Sequence, residues 1–140
     1  MKGLEKDIEF EIEFYEGLLK YNPDFEAALI ALGDAYTRAG FYEEGLSVDQ
    51  HLARLRPGDP VVLYNLACSF SLLNQPDKAL IVIKQALALG YGELEYLQMD
   101  DDLKALRALP EFQKYFEPLL RAYLKERAAE LEQRKIFRDQ

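Results

Sequence analysis

The 140-residue sequence has few of the residues from which metal sites and disulfide frameworks are built. It contains one cysteine, Cys68, and one histidine, His51. These counts exclude an intrachain disulfide and any metal site that needs several cysteines or several histidines. There is no glycine-rich phosphate loop and no paired general acid and base at a plausible spacing. We therefore expect no cofactor, no bound metal and no enzymatic activity.

Positive charge and long apolar runs are also scarce. Lys and Arg total 17 against 25 for Asp and Glu, which gives a net charge of -8. That balance argues against a nucleic-acid partner, because nucleic-acid binders usually carry a basic surface. No stretch approaches the ~20 apolar residues of a membrane span, and none near the start resembles the apolar part of a secretory signal. We expect a soluble, cytoplasmic protein without a membrane partner.

The chain does contain an internal repeat with a period of 34 residues, and Pro23 and Pro57 are separated by one period. A shift of the sequence by 34 places large residues on large ones and small residues on small ones. The pairs are Leu29 with Leu63, Leu32 with Leu66, Gly33 with Ala67, Tyr36 with Phe70, Gly45 with Ala79 and Leu46 with Leu80. A fixed period of this length is typical of a solenoid, in which each unit buries its apolar face only against its neighbours.

Each period contains two apolar stripes at helical spacing, which predicts two helices per repeat. Between the helices of the first repeat, Gly40 is placed to end a helix in the left-handed conformation. Asp59 followed by Pro60 predicts an N-cap and the first residue of the next helix. The length and the ordinary content of apolar and charged residues fit one domain with its own core.

This pattern resembles the tetratricopeptide repeat (TPR) family, through Leu29, Leu32, Gly33, Tyr36 and Pro57 in the first repeat. The second repeat carries the pattern at Leu63, Leu66, Phe70, Ala79 and Ala86. The sequence departs from it at Gly45 and Leu52, where the family prefers Ala, and at Asp49, where it prefers an aromatic. The resemblance implies an all-α fold, a short right-handed TPR superhelix with an N-terminal capping helix and irregular C-terminal helices.

The predicted organisation is a TPR solenoid over residues 1–120 and a C-terminal helical extension over 119–140. The solenoid comprises a capping helix at 4–22, repeats at 26–59 and 60–93, and a degenerate closing unit at 94–118. Pro118 is expected to kink or restart the helix, because proline disrupts a helix interior. Three consecutive carboxylates, Asp100 to Asp102, lack the alternate spacing and the glycine of a calcium loop. We expect Asp101 or Asp102 to cap a helix instead.

In the TPR family the first helix of each repeat lines a concave surface. The positions that correspond here predict a peptide-binding groove lined by Ile30, Asp34, Thr37, Arg38, Tyr64, Asn65, Cys68 and Ser71, with Tyr64 and Asn65 partly exposed. Family members that clamp the C-terminal carboxylate of heat-shock chaperones use Lys and Asn at the positions of Ile30 and Asp34. Asp34 would repel a carboxylate, so that ligand is disfavoured. Cys68 is also interpreted as a small packing residue and His51 as a surface or half-buried residue.

These features predict a protein–protein interaction scaffold that binds a protein or peptide segment in the groove. The alternative is a structural subunit that forms a homodimer through its terminal helices and has no peptide ligand. The residues expected to mediate self-association are Phe10, Phe14, Tyr123 and Leu124. Phe10 and Phe14 lie on a flank of the first helix that no preceding helix would cover. The tail from Arg121 to Gln140 carries a net charge of +2, which contrasts with the acidic body.

Overall fold

A computed structural model describes residues 2–140, with side chains from residue 5 onward. Within these residues the chain forms α-helices and one short 3-10 turn, and no strand. The helices are α1 (Lys2–Tyr21), α2 (Glu26–Ala39), α3 (Tyr42–Leu55), α4 (Pro60–Leu72), α5 (Pro76–Ala88), α6 (Leu94–Met99), α7 (Lys104–Arg107) and α8 (Pro110–Arg138), with the 3-10 turn at Asp101–Leu103. The prediction of an all-α fold is confirmed, including a helix at the N-terminus.

The helices are arranged as a repeat of helix pairs. Helices α2 and α4 begin 34 residues apart, and so do α3 and α5. Each of the first four helices packs against the next one along the chain. The architecture is therefore an all-α helical repeat with the period that the sequence predicts.

Local chain chemistry sets the ends of these helices. Gly40 has φ +83° and its N–H bonds the carbonyl of Thr37, so it ends α2 as predicted. The Asp59 carboxylate accepts bonds from the N–H groups of Val61 and Val62, and Pro60 is the first residue of α4. These signals separate α2 from α3, and α3 from α4, so that consecutive helices can fold back on each other.

The positions that the repeat pairs by size lie at helix contacts. Gly33 is buried, and a β-carbon there would stand 3.2 Å from a carboxylate oxygen of Asp49 and 3.5 Å from Val48. Ala67, one period later, is fully buried. Two apolar clusters result. The first contains residues of α1, α2, α3 and the start of α4. The second joins α4 and α5 to the C-terminal helices.

The region after α5 closes the second cluster with short helices. Its buried side chains are Leu94, Leu97, Leu103, Leu106, Phe112 and Phe116. The N-cap in this region is Asp100, whose carboxylate accepts the N–H of Asp102 at 3.0 Å. The expectation that Asp101 or Asp102 provides the cap is therefore wrong, because the chain turns into the 3-10 geometry one residue earlier.

The sequence predicts that the helix kinks or restarts at Pro118; α8 is continuous through this residue, so the restart is wrong. Phe112 and Phe116 of its first half are buried in the second cluster, while every residue from Leu124 to Gln140 is exposed. An ion pair of 3.8 Å joins Arg127 to Glu95. One helix thus spans the predicted boundary at 118 and 119.

The two terminal helices differ in how their aromatic side chains are covered. On α1, Ile12 is buried against α2 and α3, whereas Phe10 and Phe14 are 70% and 52% exposed and stack on each other with ring centres 6.5 Å apart. On α8, Tyr123 is partly buried against the second apolar cluster, whereas Leu124 is exposed. Among residues 2–140, no helix is both long enough and apolar enough to cross a membrane.

Candidate binding groove

An open groove with a volume of about 590 Å³ lies between α2 and α4. Asp49 and Leu52 of α3 also line it, as do Tyr96 of α6 and two carboxylates of the following turn, Asp100 and Asp102. Of the eight residues predicted for a groove, six line this one: Ile30, Asp34, Thr37, Tyr64, Asn65 and Cys68. The side chains of both predicted repeats therefore share one surface.

Arg38 and Ser71 were predicted to line the groove, but neither does. The Arg38 guanidinium bonds Glu11 of α1 at 2.5 Å and Asp34 at 2.8 Å, so it ties α1 to α2. Ser71 is only 4% exposed, and its hydroxyl oxygen accepts the N–H of Leu106. It supports the packing of α7 because a buried backbone N–H needs a partner.

Tyr64 was expected to be partly exposed, and this expectation is wrong. The side chain is 4% exposed, stacks on Tyr91 with ring centres 4.2 Å apart, and donates its hydroxyl to Asp100 at 2.6 Å. Burial, followed by this hydrogen bond, raises the pKa of Tyr64 well above its ordinary value. Tyr64 therefore joins α4 to the closing unit, whereas its neighbour Asn65 is exposed as predicted.

Cys68 follows Tyr64 by one turn of α4, so the two side chains lie on the same side of the helix. It is buried, and its sulfur lies 3.9 Å from the carboxylate of Asp100. Burial, and secondarily the negative charge of Asp100, raise the pKa of the thiol. Because the thiolate is the reactive form of cysteine, Cys68 at neutral pH is an inert packing residue in the floor of the groove.

The floor also contains a buried carboxyl group, Asp49, which the predicted groove did not include. Its exposed fraction is 8%, and one of its oxygens accepts the hydroxyl of Ser69 at 2.5 Å. Burial raises the pKa of Asp49 from 3.8 to about 6, although the Ser69 hydrogen bond acts in the opposite direction. The signal in the sequence was a carboxylate where the repeat pattern prefers an aromatic side chain.

Five carboxylates line the groove in total: Asp34, Asp49, Asp59, Asp100 and Asp102. Asp34 pairs with Arg38, and Asp59 lies 3.4 Å from Arg56. Among the described residues, no cationic side chain lies within ion-pair distance of the other three, and no group of three or more side chains is arranged to hold a metal ion. The surface is therefore acidic.

His51 lies outside the groove on α3. It is half-buried, as predicted, and its Nε2 is 2.8 Å from a carboxylate oxygen of Asp24 in the turn between α1 and α2. This contact joins α3 to that turn. His51 thus has a structural partner.

Comparison with known proteins finds a similarity to a plant protein. No family model matches the sequence. A stretch of 94 residues, 65% of this chain, is 33% identical to a chloroplastic protein of Arabidopsis thaliana. The match covers 27% of that protein, so the chain spans about a quarter of its length.

Proposed function

We propose that this protein is a TPR-type protein–protein interaction scaffold that binds a peptide or protein segment in the groove between α2 and α4. The observation that carries the proposal is the groove itself, with side chains from two helix pairs set 34 residues apart around one open volume of about 590 Å³. That volume is in the range of ligand-binding clefts, about 300–1,000 Å³. A solenoid commonly uses such a surface for extended partners.

The lining suits a peptide because it combines apolar contact area with polar groups. Ile30, Val61 and Tyr96 line the groove and are each about half exposed. Asn65 is exposed beside them and offers an amide that can both donate and accept hydrogen bonds. A peptide could pack its side chains on these apolar residues and form backbone hydrogen bonds with the Asn65 amide.

The test compares two isoleucines with similar exposure. Random displayed peptides are selected on the full chain, and the affinities of the selected peptides are then measured for Ile30→Asp and Ile81→Asp. Both residues are exposed on helices, but only Ile30 lines the groove. We expect Ile30→Asp to weaken binding at least about tenfold, as loss of a well-packed contact can do, and Ile81→Asp to leave it unchanged. Equal effects, or none, would refute the groove.

A second candidate function is the structural homodimer, and the exposed Phe10–Phe14 stack on α1 favours it. An uncovered pair of aromatic rings is a typical interface feature. The apolar side chains Leu124, Leu131 and Phe137 on the exposed half of α8 could take part. The two functions use different surfaces, so they can be tested separately. A cytoplasmic location and the lack of enzymatic activity stay predictions.

A further inference from the structure

The groove has an unbalanced charge. None of its lining residues, in the part of the chain that the structure describes, is Lys, Arg or His. Arg38 and Arg56 bond two of the lining carboxylates, Asp34 and Asp59, and the Arg107 guanidinium donates to the backbone carbonyl of Asp100. Among the described residues, the carboxylates of Asp49, Asp100 and Asp102 have no ion-pair partner.

Asp49 is the most buried of the five carboxylates that line the groove. It is more than nine-tenths buried and lines the groove, and Ser69 bonds only one of its two oxygens. Its other oxygen, Oδ1, lies beside Gly33 of α2, has no recorded hydrogen bond among the described residues and is still reached by solvent. A buried carboxylate without a cation is costly, and burial accordingly raises its pKa to about 6.

Asp102 extends the same charge toward the open side. It is half-buried, and burial together with its neighbours Asp100 and Asp101 raises its pKa. Asp100 already accepts the hydroxyl of Tyr64 and the N–H of Asp102, yet its carboxylate still borders the groove. A single cation placed here would interact with several negative charges at once.

Apolar side chains stand beside these charges. Ile30 of α2 and Val61 of α4 expose about half of their surface on the groove wall, and Tyr96 exposes a similar fraction. Lys and Arg have this same combination, since a hydrocarbon stem carries a charged head. The hydrocarbon stem of a Lys or Arg could pack on Ile30 or Val61 while its charged head pairs with Asp49 or Asp102. Such a side chain would use both the apolar wall and the carboxylates of the groove.

We propose that the occupant of the groove is a partner's peptide segment that carries Lys or Arg among apolar residues. This inference rests on the proposed function, because it specifies the chemistry of the ligand that the groove binds. It also explains why acidic peptide ends are poor candidates, since they would face five carboxylates. The charge complementarity should act on affinity and on the rate of encounter.

The experiment uses the peptides selected at random on the full chain, so no ligand is assumed. The selected sequences are compared with the unselected pool for their content of Lys and Arg. Affinities are then measured for Asp49→Asn and Asp102→Asn, with Glu43→Gln as the matched control. Glu43 is an exposed carboxylate of α3 outside the groove. Circular dichroism checks that each variant is folded. If Asp49→Asn does not fold, Asp102→Asn alone tests the charge of the groove.

We expect enrichment in Lys and Arg, a loss of affinity of about tenfold or more in each groove variant, and no change in the control. Affinity should also fall as salt is raised. Peptides that depend on Ile30 but are neutral or acidic would overturn this inference and leave the proposed function intact. Peptides that are indifferent to Ile30→Asp would instead refute the proposed function.

A second copy of this chain is the competing occupant, because the tail from residue 121 carries a net positive charge. Sedimentation equilibrium on the same proteins separates the two cases. Self-association that Asp49→Asn or Asp102→Asn abolishes would show that the groove takes another copy and would overturn the proposal of a partner's peptide. Self-association that is unaffected by these variants, or a monomer that binds the basic peptides, supports it.

Discussion

Ser69 of α4 donates its hydroxyl to Asp49 of α3 at 2.5 Å, and this bond joins the two predicted repeats beneath the groove. The two side chains are 20 residues apart in sequence and both are buried. Since α3 closes one repeat and α4 opens the next, the bond couples the stacking of the repeats to the charge of the groove. Its strength depends on the ionisation of Asp49, and this leads to the first prediction.

Neutralising Asp49 should stabilise the fold, and more so at neutral than at acid pH. Burial raises the folded-state pKa of Asp49 to about 6 from 3.8, so the folded protein retains a proton that the unfolded chain releases. Stability attributable to this group is present at low pH and declines as pH rises through this window, by roughly 2–4 kcal/mol. Asp49→Asn can keep the Ser69 bond and removes the charge.

The measurement is the free energy of unfolding of both proteins by urea at about pH 4 and above pH 7. The advantage of Asp49→Asn over the unmodified chain should grow between the two conditions. A constant difference would mean that the carboxyl group titrates normally. Glu43→Gln is the control, because Glu43 is exposed and its neutralisation should give no such trend.

Gly33 should not tolerate a large side chain. A β-carbon there would lie 3.2 Å from Asp49 and 3.5 Å from Val48, so Gly33→Leu should overpack the contact between α2 and α3 and cost about 1–3 kcal/mol. The matched control is Gly17→Leu on α1, where a β-carbon meets nothing within 4 Å. Thermal melts should show a lowered midpoint for the first variant alone. An unchanged midpoint would contradict the close helix contact.

Substitutions at Tyr64 and Asn65 should affect different properties, the first the stability of the fold and the second the binding of a peptide. Tyr64→Ala removes a buried aromatic and its bond to Asp100, so we expect a loss of about 3–5 kcal/mol. Asn65→Ala changes an exposed residue of the groove and should alter stability by less than about 0.5 kcal/mol. Calorimetric melts give the first quantity, and titration with a selected peptide shows whether Asn65→Ala weakens binding. Equal melting points for the two variants would refute the buried position of Tyr64.

The Phe10–Phe14 stack should determine self-association. Both rings are exposed on α1, and their burial between two chains would outweigh surface ion pairs, which contribute about 0–1 kcal/mol each. We therefore expect a dimer that survives moderate salt and weakens in the double variant Phe10→Ser with Phe14→Ser. Sedimentation equilibrium at micromolar concentration decides this. A monomer mass for the unmodified chain would exclude the dimer.

Most of the repeat could be predicted from sequence, because its determinants are local. The stripes of α2 to α5, the left-handed Gly40 and the cap at Asp59 depend on residues within one turn or one period. The groove was only partly predictable. Its helix positions follow from the period, but the depth of a side chain depends on what packs over it. Tyr64 is covered by Tyr91 and bonded to Asp100, and no periodic signal marks those contacts.

The same reasoning explains the missed carboxyl group. Asp49 belongs to the face of α3 that meets α2 and α4, where a charged residue breaks the pattern. The resemblance to a family marked that position as a departure and assigned it no role. Its importance depends on Ser69, 20 residues away, and on the open space above it. Both are three-dimensional facts that only the packed helices supply.

The unbroken passage of α8 through Pro118 has a mechanical consequence. Proline has no N–H, so the carbonyl of Lys114 lacks its usual helical partner a few residues before α8 loses contact with the body. Farther along, the residues from Leu124 onward are exposed, and an isolated helical segment of only about 15 residues is marginal in water. Amide hydrogens there should exchange through local fraying, at rates that are independent of denaturant, while those of α4 should exchange only on global opening. Any partner that binds this outer segment must therefore also offset the conformational entropy that is lost when the segment is held helical.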